Sequence, residues 1–278
     1  MTLCETPGLA YNVNFEAAAL FFFAILYVYL RKKYYTATFV NKTFRRLVFF
    51  QIAAIMLDIA ASVTVSHASA VPVWLNIALN TLYFCSAGFL YYTLHLFFIS
   101  FGIKKKTGMF FLTFSRIVLL LYLSMLSVNI PTGIVFSFKG GSYERGPLFF
   151  IFIAIPFLFL AECAVTFAII KKRVSKTIFW VLTSLLFTAV IGPALQYFFF
   201  PQILLTNFFP LFSFVLCLFA LVSPDYSMLA KKKKELDELQ EHLEEKAARE
   251  SERIYKSDRQ KEFLFGQIID ALAATIDA

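Results

Sequence analysis

The sequence predicts an all-α fold, a seven-helix transmembrane bundle followed by a cytoplasmic signalling coiled coil. Three observations carry that expectation. Hydrophobic residues fill 59% of the 278 positions and aromatic residues 18%, with 36 Phe, whereas charged residues account for 16%; a soluble domain is nearer half apolar and a quarter charged. The apolar content falls into segments long enough to cross about 30 Å of hydrocarbon as helices. Beyond Ser223-Pro224-Asp225 the composition inverts to KKKKELDELQEHLEEK, too charged for lipid, so the chain changes solvent at that point.

In chain order, residues 1–13 form a short extracellular tail, and spans are expected over 14–30, 47–66, 74–103, 109–129, 148–170, 177–200 and 207–222. Together 14–222 make the bundle, 223–262 a cytoplasmic coiled-coil helix and 263–278 the start of a truncated output domain. Orientation follows from the loops. Arg31-Lys32-Lys33, Lys42, Arg45, Arg46, the lysines at 104–106, Lys171, Lys172, Arg173, Lys176 and the lysines at 231–234 share one side, against Lys139 and Arg145 on the other. The amino terminus is therefore expected outside and the carboxy-terminal helix in the cytoplasm. The same clustering explains the net charge of +8 by topology, and no nucleic-acid partner is implied. The basic cluster follows the first apolar run instead of leading it, so that run is read as a retained helix.

The longest outer loop, IPTGIVFSFKGGSYERG, alternates through Ile134, Phe136 and Phe138, turns at Lys139-Gly140-Gly141 and resumes at Tyr143. This predicts a small hairpin over the bundle, either a lid or a surface connector. Within the spans, an ionisable group needs a partner or a watery cavity. His95, Arg116 and Glu162 each lie eight residues from the cytoplasmic ends of their spans, roughly 12 Å deep at 1.5 Å per residue, and define a candidate polar layer. Arg116 is expected to pair with Glu162 there, or else to snorkel to the headgroups. Nearer the outside, Asp58, Asn76, Asn80 and Gln196 define a candidate sensor pocket; small polar residues also serve as interhelical glue. Prolines 156, 193 and 210 interrupt the last three spans, and Pro193 and Pro210 are candidate hinges or static kinks.

At the junction, Ser223 suits an N-cap, Pro224 the first helical position and Asp225 the positive end of a helix dipole, which predicts a fresh helix start. Leu236, Leu239 and Leu243 follow a/d spacing, the stripe steps four residues to Ala247, and it resumes through Ile254, Lys261 and Ile268. That step is a stutter, and Lys246, Glu250 and Lys261 weaken the seam further. A parallel homodimer through residues 235–275 with a switchable coil is one reading, a single solvated helix the other. From Lys261 the apolar spacing at Leu264, Ile268, Leu272 and Ile276 is amphipathic up to the last residue, which suggests truncation before an output domain.

Chemistry-bearing motifs are few. Cys4, Cys85, Cys163 and Cys217 have no paired spacing, and no Gly-rich phosphate loop, GxSxG or HExxH occurs. No catalytic residue, metal ligand or cofactor is assigned. A retinal protein needs a lysine in the seventh span and a bis-histidine haem a second intramembrane His, and the sequence has neither.

The stretches NIPTGIVFSF, SYERGPLFF and SPDY resemble the seven-helix sensor modules that precede diguanylate cyclase, HD-domain or kinase outputs in Gram-positive bacteria, over roughly residues 10–230. The ending QIIDALAATIDA resembles the helix leading into HD-type cyclic-dinucleotide phosphodiesterases, although their His-Asp metal motif is not in the chain. KEFL near Lys261 is similar to the approach to a histidine-kinase dimerisation helix, without a phosphoacceptor His after it. These resemblances imply a receptor module of a bacterial plasma membrane, its small-molecule or membrane stimulus unknown, acting through a coiled coil on an HD-type output domain. A diguanylate cyclase or kinase output, a small seven-helix transporter and an assembly scaffold are the alternatives; the sequence has no evident internal repeat of the transporter kind.

Overall fold

The computed structural model describes residues 11–33, 38–103, 105–139 and 142–276. The chain divides into two units, Met1–Val222 and Ser223–Ala278. The first contains α1 (Asn14–Lys33), α2 (Phe39–Ser66), α3 (Val73–Ile99), α4 (Lys105–Thr132), the strands β1 (Phe136–Lys139) and β2 (Ser142–Arg145), α5 (Phe149–Ile170), α6 (Lys176–Phe198) and the beginning of α7 (Phe208–Ile276). Helix starts follow capping chemistry where the side chains allow it. Thr38 accepts from Asn41 N at 3.2 Å before α2, and Ser175 from Ile178 N at 3.3 Å before α6.

Six helices are long and apolar enough to cross a membrane, α1 through α6. Their polarity is inside out. Phe21, Leu120, Phe150, Trp180 and Phe219 are 64–72% exposed, whereas Glu16, Asp58, Asn76, His95 and Glu162 are buried. Water would penalise such a surface and lipid favours it, so the chain has the build of a multi-pass membrane protein with a bilayer around it. A seventh span is expected over 207–222, and among the described residues it is represented by a shorter apolar helix. Its described apolar part is Phe208–Leu221, about 20 Å at 1.5 Å per residue. Asn207 precedes the helix and is drawn into polar contacts, and Pro210 falls in the first turn, where its missing N–H costs no helical bond. Pro210 therefore starts a helix instead of kinking one. Pro156 and Pro193 do lie inside α5 and α6.

α3 is central, touching α2, α4, α5 and β1. The main core joins Phe23 of α1, Phe44 of α2, Phe97 of α3, Leu182 of α6 and Phe214 of α7. Phe214 meets Phe23 edge-on at 5.0 Å and stacks on Phe44 at 5.9 Å. A second core lies under the hairpin, where Tyr122 stacks on Phe152 at 4.4 Å and Phe84 contacts both Phe136 and Phe152.

The hairpin follows the predicted alternation. Phe136 opposes Arg145 and Phe138 opposes Tyr143, so Phe136 and Phe138 share the buried face with Tyr143. Its turn at 140–141 lies outside the described residues. Asn129, near the end of α4, accepts from Val135 N at 2.7 Å and Phe136 N at 3.1 Å and pins the strand. At the same end of the bundle, Asn12 N donates to Gln202 O and Leu204 N to Asn12 O, tying the amino-terminal segment to the α6–α7 connection. At the other end, Arg173 donates to Gly102 O at 3.1 Å.

In the second unit the helix carries i,i+3 and i,i+4 pairs on its own surface, Arg249 with Glu245 at 2.6 Å and Arg253 with Glu250 at 3.3 Å. Leu236, Leu239, Leu243, Ile254 and Leu264 are exposed. α7 is assigned without a break through Ser223 and Pro224. The separate helix start expected there is thus not present: an interior proline removes one backbone bond and leaves the neighbouring turns able to carry the helix across.

Candidate functional site

Two buried polar clusters stand out in a bundle whose outside is apolar. The first is built around Asn207, the residue before α7. Its Nδ2 donates to Glu16 Oε1 of α1 at 2.9 Å and to Asp58 Oδ2 of α2 at 3.2 Å. Gln51, two turns before Asp58 on α2, donates from Nε2 to Asn207 Oδ1 at 2.8 Å. That bond fixes which way the Asn207 amide faces, so both amide hydrogens go to the two acids. Asp58 also faces Ser62 and the Tyr83 hydroxyl of α3. Glu16, Gln51, Asp58 and Asn207 are all buried, and Glu16 Oε2 has no hydrogen-bond partner.

Asn207 is held at this depth by the connection preceding it. Gln196 Oε1 accepts from Leu205 N at 2.8 Å, Thr206 N at 3.0 Å and Thr206 Oγ1 at 2.8 Å, which turns the chain back into the bundle. Gly192 permits the approach, since a Cβ there would come 3.0 Å from Thr206 O. A cavity of about 40 Å³ adjoins the cluster, lined by Gln51, Tyr91, Ala189, Thr206, Asn207 and Pro210 with apolar neighbours. It has room for a few waters and polar groups to bind them. Pro193, lacking an N–H, leaves the carbonyl of Ala189 without its helical donor.

The second cluster joins α3, α4 and α5. His95 Nδ1 lies 2.8 Å from Glu162 Oε2 and 2.6 Å from Ser115 Oγ, and His95 Nε2 lies 2.9 Å from Thr166 Oγ1. Ser115 also hydrogen-bonds Glu162 Oε2, and its hydroxyl reaches Phe111 O at 2.9 Å. Glu162 and Thr166 are i,i+4 on α5 and share a face. Donation from Nδ1 to Glu162 with Thr166 donating to Nε2 is one tautomer that satisfies both contacts. His95 and Thr166 are wholly buried, and the contacts brace α3, α4 and α5 against one another.

The predicted site residues separate accordingly. His95 and Glu162 come together. Arg116 does not join them: one residue after Ser115 it is turned about 100° around α4 and exposed, and Ser115 occupies the place expected for it. Of the predicted pocket, Asp58 belongs to the Asn207 cluster, while Gln196 is spent on the connection. Asn80 Nδ2 bonds Asn76 O on its own helix at 2.9 Å, and the amide of the fully buried Asn76 has no partner. The cavity is lined by Gln51, Thr206 and Asn207 rather than by that quartet. Glu16, Gln51, Asn207, Ser115 and Thr166 escaped the sequence reading. Gln51 was detectable as a lone amide inside an apolar run; Glu16 and Asn207 read as span edges because the buried connection has no helical signature. Among the described residues no group of three or more His, Cys, Asp or Glu is placed to hold a metal ion. Cys85, Cys163 and Cys217 are unpaired thiols, and Cys4 lies outside the described residues.

Compared with models of known protein families and with curated proteins, the chain matches none of them.

Proposed function

We propose that this chain is the membrane-embedded sensory module of a bacterial plasma-membrane receptor. In this reading the amino terminus faces out, the apolar start of α7 completes a seventh crossing, and the charged helix lies in the cytoplasm as a parallel homodimer through residues 235–275. An HD-type cyclic-dinucleotide phosphodiesterase is the first choice of output, with a diguanylate cyclase or histidine kinase next.

One observation carries the reading. Asn207, the residue that two buried carboxyls of α1 and α2 both hold, immediately precedes α7, and the same stretch of chain continues into the charged segment with its apolar stripe. A change in the grip on Asn207 therefore bears on the start of the signalling helix. The polar grip is costly to break in hydrocarbon and has few alternative partners there, which favours two discrete states over a continuum. Pro193, Pro210 and the Ser223-Pro224 junction are then the places where a change of state would be absorbed.

The test is a change of phase. Deleting four residues between Leu243 and Ile254 in the receptor, with its output domain attached, is expected to alter output while membrane insertion is retained; unchanged output would refute transmission through the coil. A second reading, a small transporter, draws on the mostly apolar cavity beside α6 and on the prolines inside α5 and α6. Solute uptake into proteoliposomes by residues 1–222 alone would favour it.

A further inference from the structure

We propose that Glu16 and Asp58 form a proton-binding site, and that one proton held between the two carboxyls keeps Asn207 seated. The proposal deepens the receptor reading by naming the ligand of the same site.

Four carboxyl oxygens meet in this cluster, and the Asn207 amide supplies one hydrogen to each acid. It has no third hydrogen to give, and Gln51 prevents it from turning. Glu16 Oε2 is left without a donor although Glu16 is 0% exposed. A buried carboxylate oxygen in that condition demands a ligand.

Charge points the same way. The groups facing the pair are Ser62 from α2 and Tyr83 from α3, with Tyr91 further along α3, and Asn207 ahead of α7. Among these described residues none is a cation. Two ionised carboxylates bonded to one amide nitrogen in hydrocarbon repel each other with nothing to offset them. A proton on one acid removes that repulsion and makes the missing donor at once, because its O–H points to an oxygen of the other. It needs only two oxygens, whereas a hard cation such as Ca²⁺ or Mg²⁺ takes six or more and would compete with Gln51 for Asn207 Oδ1. On release the proton passes to water, for which the adjoining cavity has room. The two carboxylates then separate and the amide of Asn207 loses its fixed seat.

Thermal unfolding of the purified full chain in detergent, followed against pH, is the experiment. The unfolding midpoint of the unsubstituted protein is expected to fall as pH rises through the titration of the pair, by up to about tenfold in the folding constant per pH unit, or roughly 3–5 °C. Glu16→Gln and Asp58→Asn should each flatten that slope, and exchanging sodium for choline at fixed pH should leave the midpoint unchanged. An identical pH slope in the unsubstituted protein and in Glu16→Gln, or saturable stabilisation by sodium, overturns the proposal. Should both variants fail to fold, infrared titration of the unsubstituted protein decides, with Glu162→Gln to remove the other buried acid. A protonated carboxyl band that disappears as pH is raised supports the shared proton, and the lack of such a band overturns it. These measurements read the bundle without any output, so their failure leaves the receptor reading to the phase test on the coil.

Discussion

Replacing Asn207 by Ala tests the centre of the site directly. The substitution deletes three buried hydrogen bonds, to Gln51 at 2.8 Å, to Glu16 at 2.9 Å and to Asp58 at 3.2 Å. Interhelical hydrogen bonds in membrane proteins average about 0.6 kcal/mol each, which sets a floor of about 2 kcal/mol. A ceiling comes from the groups left behind, since a buried polar group stripped of its partner costs about 1–3 kcal/mol. The adjoining cavity admits water that can re-donate to some of them, so the loss should fall at about 2–5 kcal/mol. Equilibrium unfolding of the full chain in mixed micelles, titrated with a denaturing detergent, measures it. Phe212→Ala on the exposed face of α7 serves as the reference for an equivalent truncation without buried partners. A loss below about 1 kcal/mol, or one equal to that of Phe212→Ala, would refute the view that Asn207 holds α1 and α2 together.

Three further outcomes are expected. Gly146→Ala should loosen the hairpin, because a Cβ there would come 2.2 Å from Ile134 O and the backbone has to move; a cost of about 1–3 kcal/mol, with faster amide exchange at Val135 and Phe136, is expected. Burial pushes the Tyr143 phenol above its ordinary value of 10.0, with Arg145 opposing. Its contribution is therefore complete below about pH 10 and lost as pH rises beyond, when the unfolded chain releases the proton and the folded hairpin retains it. Tyr143→Phe should abolish that alkaline loss in hairpin amide exchange. Arg116→Gln and Glu162→Gln should affect stability additively within about 0.3–0.5 kcal/mol, as expected of residues that do not pair, and a larger coupling in the double variant would contradict the exposed position of Arg116.

Residue pattern and physical chemistry account for what was legible in the sequence. Helices α1 through α6 were readable because bilayer thickness imposes a length that local sequence must satisfy. The hairpin was readable because Ile134, Phe136 and Phe138 alternate on a period of two and Tyr143 follows a glycine turn. His95 and Glu162 were found because any ionisable group in hydrocarbon needs a partner, but the rule does not name the partner. Arg116 had the right depth and the wrong azimuth, and depth is all that counting from a span end provides. The Asn207 cluster was hidden for a different reason. Its members come from the start of α1, the middle of α2 and an irregular connection, and only folding the chain back on Gln196 brings them to one depth. The missing break at Pro224 has a similar origin, since capping preferences describe where a helix is able to start and the flanking turns decide whether it does.

The opening turns of α7 are held by three kinds of contact at once, and their combination bears on how a signal would leave the bundle. Phe214 packs on Phe23 and Phe44, Ser213 bonds Ser184 at 2.9 Å and lies 3.0 Å from the Thr188 hydroxyl, and Asn207 bonds Gln51, Glu16 and Asp58. The apolar contacts tolerate a small slide, because dispersion between rings changes gradually with distance. The hydrogen bonds do not, because a displaced donor in hydrocarbon has no water to turn to. Any displacement of the start of α7 would therefore be resisted more by its polar contacts than by its aromatic ones. Of those polar contacts, the Ser184–Thr188–Ser213 group carries no titratable side chain, whereas the Asn207 grip depends on two acids. Under the shared-proton proposal, loss of the proton would alter the second group and leave the first intact, with Ser213 six residues beyond Asn207 still bonded to Ser184. In the proposed receptor, that geometry would favour a pivot of the opening turns of α7 about Ser213 over a slide along the helix axis.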